Sequence, residues 1–96
     1  MNGAADTAQA TVTICNARGL HARASAKFVK FAENFQSSIT VTSDGETVDG
    51  RSILDLMMLA AGPGTIVQIK ATGTDAYAAL AELEALVACG FEENDP

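Results

Sequence analysis

The hydrophobic period of this chain switches from two residues to about 3.6 and back again, and few folds accommodate that switch. Thr11-Val12-Thr13-Ile14-Cys15 and Ser38-Ile39-Thr40-Val41-Thr42 alternate polar with apolar and are rich in β-branched side chains, so each reads as a half-buried strand. Between them Ala24, Phe28, Phe31 and Phe35 fall on one helical stripe, which predicts an amphipathic helix over 22–35. Asp44-Gly45, between Val41 and Val48, signals a hairpin turn, because Gly accepts positive φ and Asp tolerates it. Residues 46–49 then make a short third strand, and Thr65 to Lys70 a fourth. A second helix is expected over 52–61, ended by Gly62-Pro63-Gly64 with a glycine in the left-handed cap. A third starts at Thr74 or Asp75, buries Ala76, Leu80, Leu83 and Val87, and stops at Gly90. The order β-α-β-β-α-β-α predicts an open-faced α+β sandwich of two layers, one sheet with its helices on one face.

Ninety-six residues suit a single domain spanning 1–96, and a chain of this length buries enough surface to fold without metals or disulfides. The core is expected over about 9–91. Asn2 to Asp6 and the acidic Glu92 to Pro96 read as flexible ends outside it. Six Lys and Arg against twelve Asp and Glu give a net charge of −6. That balance argues against sequence-independent binding to nucleic acid or an anionic membrane. The longest apolar run, Leu56 to Ala61, is too short to span a bilayer, and no secretory leader is recognisable, so a cytoplasmic protein is expected. Cys15 and Cys89 form no metal motif with the one His, so no metal site is expected and reduced thiols are the default.

His21 is the one histidine. Gly19 permits an abrupt reversal after the first strand, which sets His21 at the N-terminal edge of the first helix. Free helical N–H groups there carry partial positive charge and favour a phosphate attached to the ring. Arg23 adds charge-assisted hydrogen bonds to the same oxygens. Imidazole is nucleophilic near neutral pH and leaves readily once protonated, so a phosphohistidine site is chemically sound. The bland alternative is a solvated or capping histidine. Hydrolytic chemistry would need an orienting carboxylate, second base or metal set that this His–Arg pair lacks.

Arg23, Lys27 and Lys30 share one flank of that helix, as a basic ridge for an acidic partner or as an ordinary solvated face. The second helix is apolar nearly all round, with Asp55 its lone charge. Leu56 and Leu59 suit the core. Some of Ile53, Leu54, Met57 and Met58 should then stay exposed, as a Met-rich docking surface or a dimer interface. Ser52 suits an N-cap, with phosphorylation beside the apolar patch as the alternative.

The segment Gly19-Leu20-His21-Ala22-Arg23-Ala24-Ser25-Ala26-Lys27-Phe28-Val29 resembles the active-centre segment of HPr, the histidine-containing phosphocarrier family of the bacterial phosphotransferase system. The likeness extends over about 9–91, through the hairpin, Arg51-Ser52-Ile53, the glycine-rich turn and the last helix. It implies a four-stranded antiparallel sheet in the order 1-4-2-3 beneath three helices. It implies that His21 takes phosphate on Nδ1 from phosphorylated enzyme I and passes it to an EIIA-type protein, with Arg23 assisting and no cofactor. Ser52 would match the serine modified by HPr kinase/phosphorylase. Ala22, Ala24, Lys27, Ile53, Leu54 and Met57 would contact partners of a monomer. Ala24 stands where many members have Pro, and Ala22 where Thr is usual, so altered transfer rates are expected. The acidic end resembles the nitrogen-related NPr branch, which leaves regulation open beside sugar uptake. A different class of function is a regulatory docking module that works through the Met-rich patch and does not need His21.

Overall fold

Four strands and three helices follow in the expected order in the computed structural model, which describes residues 6–93: β1 Asp6–Thr13, α1 Ala22–Ala32, β2 Ser38–Ser43, β3 Glu46–Asp49, α2 Ile53–Met58, β4 Ile66–Gly73 and α3 Ala76–Ala88. A 3-10 turn, Gly90–Glu92, closes the series. The sheet is antiparallel throughout in the order β1-β4-β2-β3. Alternation along the strands separates its two faces. Ala8, Ile39, Val41, Val67, Ile69 and Ala71 are buried beneath the helices, whereas Gln9, Thr11, Gln68 and Lys70 lie exposed on the open face. Among the described residues no helix is long and apolar enough to cross a membrane.

Asp44 and Gly45 both have positive φ, at 51° and 83°, which gives the β2–β3 connection the twist of a primed two-residue turn. Val41 then faces Val48 across the hairpin. Ala76, Leu80, Leu83 and Val87 of α3 are buried as expected, and Leu56 of α2 is fully enclosed.

The element boundaries depart from expectation for identifiable reasons. β1 begins at Asp6 and ends at Thr13, where 11–15 was expected, because Ala8 and Ala10 pair with Ala71 and Ile69. Small residues conceal a strand from a propensity argument, yet they fit beneath a helix. β4 likewise runs on to Gly73. α1 ends at Ala32, short of Phe35, and its inward face is Ala24, Ser25, Phe28, Val29 and Ala32, leaving Phe31 and Phe35 half-buried. The Arg51 guanidinium donates to the carbonyls of Ala32 and Phe35 at 3.1 and 2.6 Å, so this cation caps α1. α2 stops at Met58, and Ala60, not a glycine of 62–64, takes the left-handed position with φ 53°. Leu59 and Ala60 bond three residues back, and the Ala61 carbonyl is drawn off to Leu20 N–H at 2.9 Å.

Asp75 heads α3 without a side-chain cap bond of its own. Its carboxylate accepts instead from Gln36 N–H and Ser37 N–H, each at 2.9 Å, and from the Ser37 hydroxyl at 2.5 Å. It thus fastens the α1–β2 turn to the start of α3. The Ser37 hydroxyl, followed by the Gln36 amide, holds the Asp75 carboxyl below its ordinary value. A lowered native pKa means that the folded chain binds fewer protons there than the unfolded one. The resulting stability is complete above the unfolded aspartate value and lost as pH falls through the native one. Asp75→Asn is expected to flatten the acid limb of the stability profile over that window, read by chemical denaturation at stepped pH; an unchanged limb would show that the carboxylate adds nothing.

The expected flexible ends 1–5 and 94–96 lie outside the described residues. At their inner borders the expectation needs correction, since Asp6 pairs in the sheet with Gly73 and Glu93 is tied into the site described next.

Candidate functional site

β1 delivers the chain to one end of the sheet, where Asn16 and Gly19 turn it sharply toward α1. Gly19 has φ 62°, and a Cβ on it would lie 2.2 Å from the Ala61 carbonyl oxygen, so both conformation and space require glycine. Its own carbonyl accepts from the His21 N–H and from the Asn16 amide, each at 2.9 Å. These bonds fix where α1 begins.

His21 is the N-cap residue, with extended backbone and no side-chain cap bond. Its carbonyl accepts from Ser25 N–H at 2.9 Å. The amides of Ala22, Arg23 and Ala24 therefore precede the first intrahelical donor, Ser25 N–H, and present the positive end of α1 beside the imidazole. The His21 side chain is 22% exposed. Nε2 donates to Glu93 Oε2 at 2.5 Å. Nδ1 has no protein partner among the described residues, so one ring nitrogen is held and the other is open.

Glu93 escaped the sequence reading. Gly90, Phe91 and Glu92 all have left-handed φ, at 67°, 58° and 62°, which reverses the chain as it leaves α3. The conformation is unfavourable for Phe91, and its complete burial offsets the strain. Lys27 reinforces the reversal, donating to the Phe91 carbonyl and pairing with Glu92, each at 3.2 Å. Glu93 then lies against His21 with its other oxygen accepting from Asn16 at 3.0 Å. Desolvation favours the neutral carboxyl. The hydrogen bonds from Asn16 and His21, with the charges of His21 and Arg23, outweigh it and hold Glu93 below its ordinary range.

Arg23 is brought to the same site. Its side chain is 63% exposed and its Nε lies 3.9 Å from Glu93 Oε2, too long for a hydrogen bond, so among the described residues the guanidinium donors have no hydrogen-bond partner. Ala22 is exposed, but Ala24, expected at a partner surface, is 1% exposed and packs into the core. The basic ridge is correspondingly reduced, because Lys27 is engaged by the 90–92 segment while Arg23 and Lys30 remain exposed.

α2 packs beside α1 and presents Ile53, Leu54, Met57 and Met58, all four exposed where only some were expected to be. Ser52 caps α2, its hydroxyl accepting from Asp55 N–H at 3.2 Å. Among the described residues no group of three His, Cys, Asp or Glu could hold a metal ion.

Comparison with known proteins places this arrangement. Residues 8–88 match the family described as the PTS HPr component phosphorylation site. The chain is 45% identical over 87 residues to the phosphocarrier protein HPr of Cupriavidus necator, covering 91% of this chain and 98% of that protein. It is 42% identical over 82 residues to the phosphocarrier protein NPr of Shewanella violacea, covering 85% and 90%. The crystal structure of HPr-C-His from Thermoanaerobacter tengcongensis superposes with a TM-score of 0.87 at 36% identity, covering 92% of this chain and 99% of that one.

Proposed function

This chain belongs to the HPr family of phosphotransferase-system phosphocarriers, and on that premise we propose that His21 is the residue that takes up the phosphoryl group and gives it away. The observation that carries the reading is the single imidazole at the N-cap of α1, with Nε2 held by Glu93 and Nδ1 without a partner among the described residues. Nδ1 is then the nucleophile. Its lone pair forms the N–P bond as the donor's bond to phosphorus breaks, and the electron pair leaves with the donor. The phosphoryl oxygens meet the amides of Ala22, Arg23 and Ala24 and the Arg23 guanidinium. Onward transfer reverses the sequence, with the protonated ring as leaving group.

The donor in this reading is phosphorylated enzyme I and the acceptor an EIIA-type protein, met in the cytoplasm by a monomeric carrier that catalyses nothing alone. The exposed face of α2, Ile53, Leu54, Met57 and Met58, together with Ala22 and Arg23, suits a partner that must cover the ring to reach it. HPr and NPr relatives are matched at 45% and 42%. What comes over from both is what they share, carriage of a phosphoryl group. Ser52 is assigned first as the α2 cap. HPr kinase/phosphorylase would have to draw its hydroxyl away from Asp55 N–H.

Incubation with phosphoenolpyruvate and the enzyme I of the same source tests the reading. The expected result is one added phosphate, lost in acid and stable in base. No gain with an enzyme I shown to be active would favour the docking module, for which His21 is dispensable.

A further inference from the structure

The geometry points to Glu93 as a positioning residue for His21, anchoring the ring through Nε2–H and supporting the positive charge the ring gains when Nδ1 takes the phosphoryl group. The inference deepens the carrier reading and rests on it. Glu93 lies beyond residues 8–88, where the family match ends, so nothing in that match assigns it a role.

Three independent observations carry the role. First, the Nε2–Oε2 contact of 2.5 Å joins residues 72 apart in sequence, so it is a tertiary contact that ordinary local structure does not explain. Second, the carboxylate is fixed from its other end: Asn16 Nδ2 donates to Oε1, and the same amide nitrogen donates to the Gly19 carbonyl in the turn before His21. Ring and turn are thereby tied to one anchor. Third, the side chain is only 5% exposed and is brought there by three successive left-handed residues, one of them a fully buried Phe. A solvated acidic end would not adopt that conformation.

The chemistry follows from which nitrogen is held. A carboxylate is acceptor-only, so Nε2 must carry the proton and Nδ1 the lone pair. As the N–P bond forms at Nδ1 and the donor's bond to phosphorus breaks, positive charge spreads over the ring. The Nε2 proton stays on nitrogen throughout, shared with an anion whose attraction grows as the ring becomes cationic. The protonated phosphoimidazole is also the form that leaves readily, so the contact supports delivery as well as uptake. Arg23 is the other charged group at this carboxylate, 3.9 Å from Oε2, while Lys27 and Glu92 pair with each other in the reversal, and only Glu93 is hydrogen-bonded to the ring.

The test compares wild type with Glu93→Ala and Glu93→Gln after labelling the imidazole with nitrogen-15. In the unphosphorylated protein the Nε2–H proton of wild type should give a downfield, exchange-protected resonance. It should vanish in Glu93→Ala and persist, less shifted, in Glu93→Gln, whose amide oxygen still accepts. After phosphorylation the ring should lose its Nε2 proton at lower pH in both variants than in wild type. Onward transfer should slow by about two- to tenfold in Glu93→Ala, the range one partly exposed hydrogen bond sustains. An unchanged ring N–H resonance or faster transfer in Glu93→Ala would overturn the inference while leaving carriage intact. Failure of the wild type to accept phosphate would refute the carrier reading, and this inference with it.

Discussion

His21→Ala is expected to abolish phosphoryl acceptance outright while leaving the fold in place. The two effects separate because of where the side chain sits. It is the one imidazole in the chain, so no second ring can take over. It makes no helix-capping bond, and its backbone N–H and carbonyl are engaged with Gly19 and Ser25 through atoms an alanine retains. The stability cost is that of one partly exposed contact to Glu93, about 1 kcal/mol or less. Denaturant unfolding should therefore shift little, while phosphate incorporation falls to background. A variant that still acquires acid-labile phosphate would place the carrier nucleophile elsewhere.

Gly19→Ala should combine a large loss of stability with a loss of transfer. Alanine at φ 62° carries the left-handed penalty, about 1–2 kcal/mol. Its Cβ would also meet the Ala61 oxygen at 2.2 Å and the Gly62 Cα at 2.7 Å, both backbone atoms that cannot rotate away. Relieving such overpacking costs about 1–3 kcal/mol more, for a sum near 2–5 kcal/mol. The displaced group matters for function as well as folding. Ala61 O accepts from Leu20 N–H, so pushing it back moves the residue before His21 and the turn that follows α2 together. Transfer should fall even at temperatures where the variant is folded. Equal stability of Gly19→Ala and wild type in urea would contradict the packing seen at this turn.

The parts of this account that were legible in the sequence are those in which a residue acts on its neighbours. The Asp44-Gly45 turn declares itself because left-handed φ is a property of the residues in it, and Gly19 and His21 declare the start of α1 in the same way. The burial of Leu83 and Val87 follows from helical periodicity, and the exposure of apolar residues on α2 follows from its being apolar nearly all round. What stayed hidden depends on contacts between distant segments. Arg51 stands fifteen or more residues from the carbonyls it caps at the end of α1. Asp75 looked like the cap of its own helix and holds the turn at Gln36 and Ser37. Glu93 looked like part of a repelling acidic end, because nothing around it in sequence shows that 90–92 folds back onto α1. The one available signal was Phe91, a large apolar residue between the helix-ending Gly90 and the acidic residues after it, which a solvated tail has no reason to carry. Ala24 lies inward, as its helical stripe required, and only the resemblance set it at a partner surface. Position in a motif says that a residue is near the site, whereas only the turn of the helix says which way it faces.

The central claim is that the phosphoryl group is carried on Nδ1 of His21. The chain has one histidine, so nitrogen-15 placed in the imidazole reports on His21 alone. The decisive measurement is nitrogen-15 and phosphorus-31 NMR of this labelled protein after treatment with phosphoenolpyruvate and its enzyme I. The account predicts a new phosphorus resonance coupled to Nδ1, with Nε2 still bearing its proton and the coupling lost on acid treatment. A phosphorus resonance with no coupling to either ring nitrogen, or one coupled to Nε2, would contradict it.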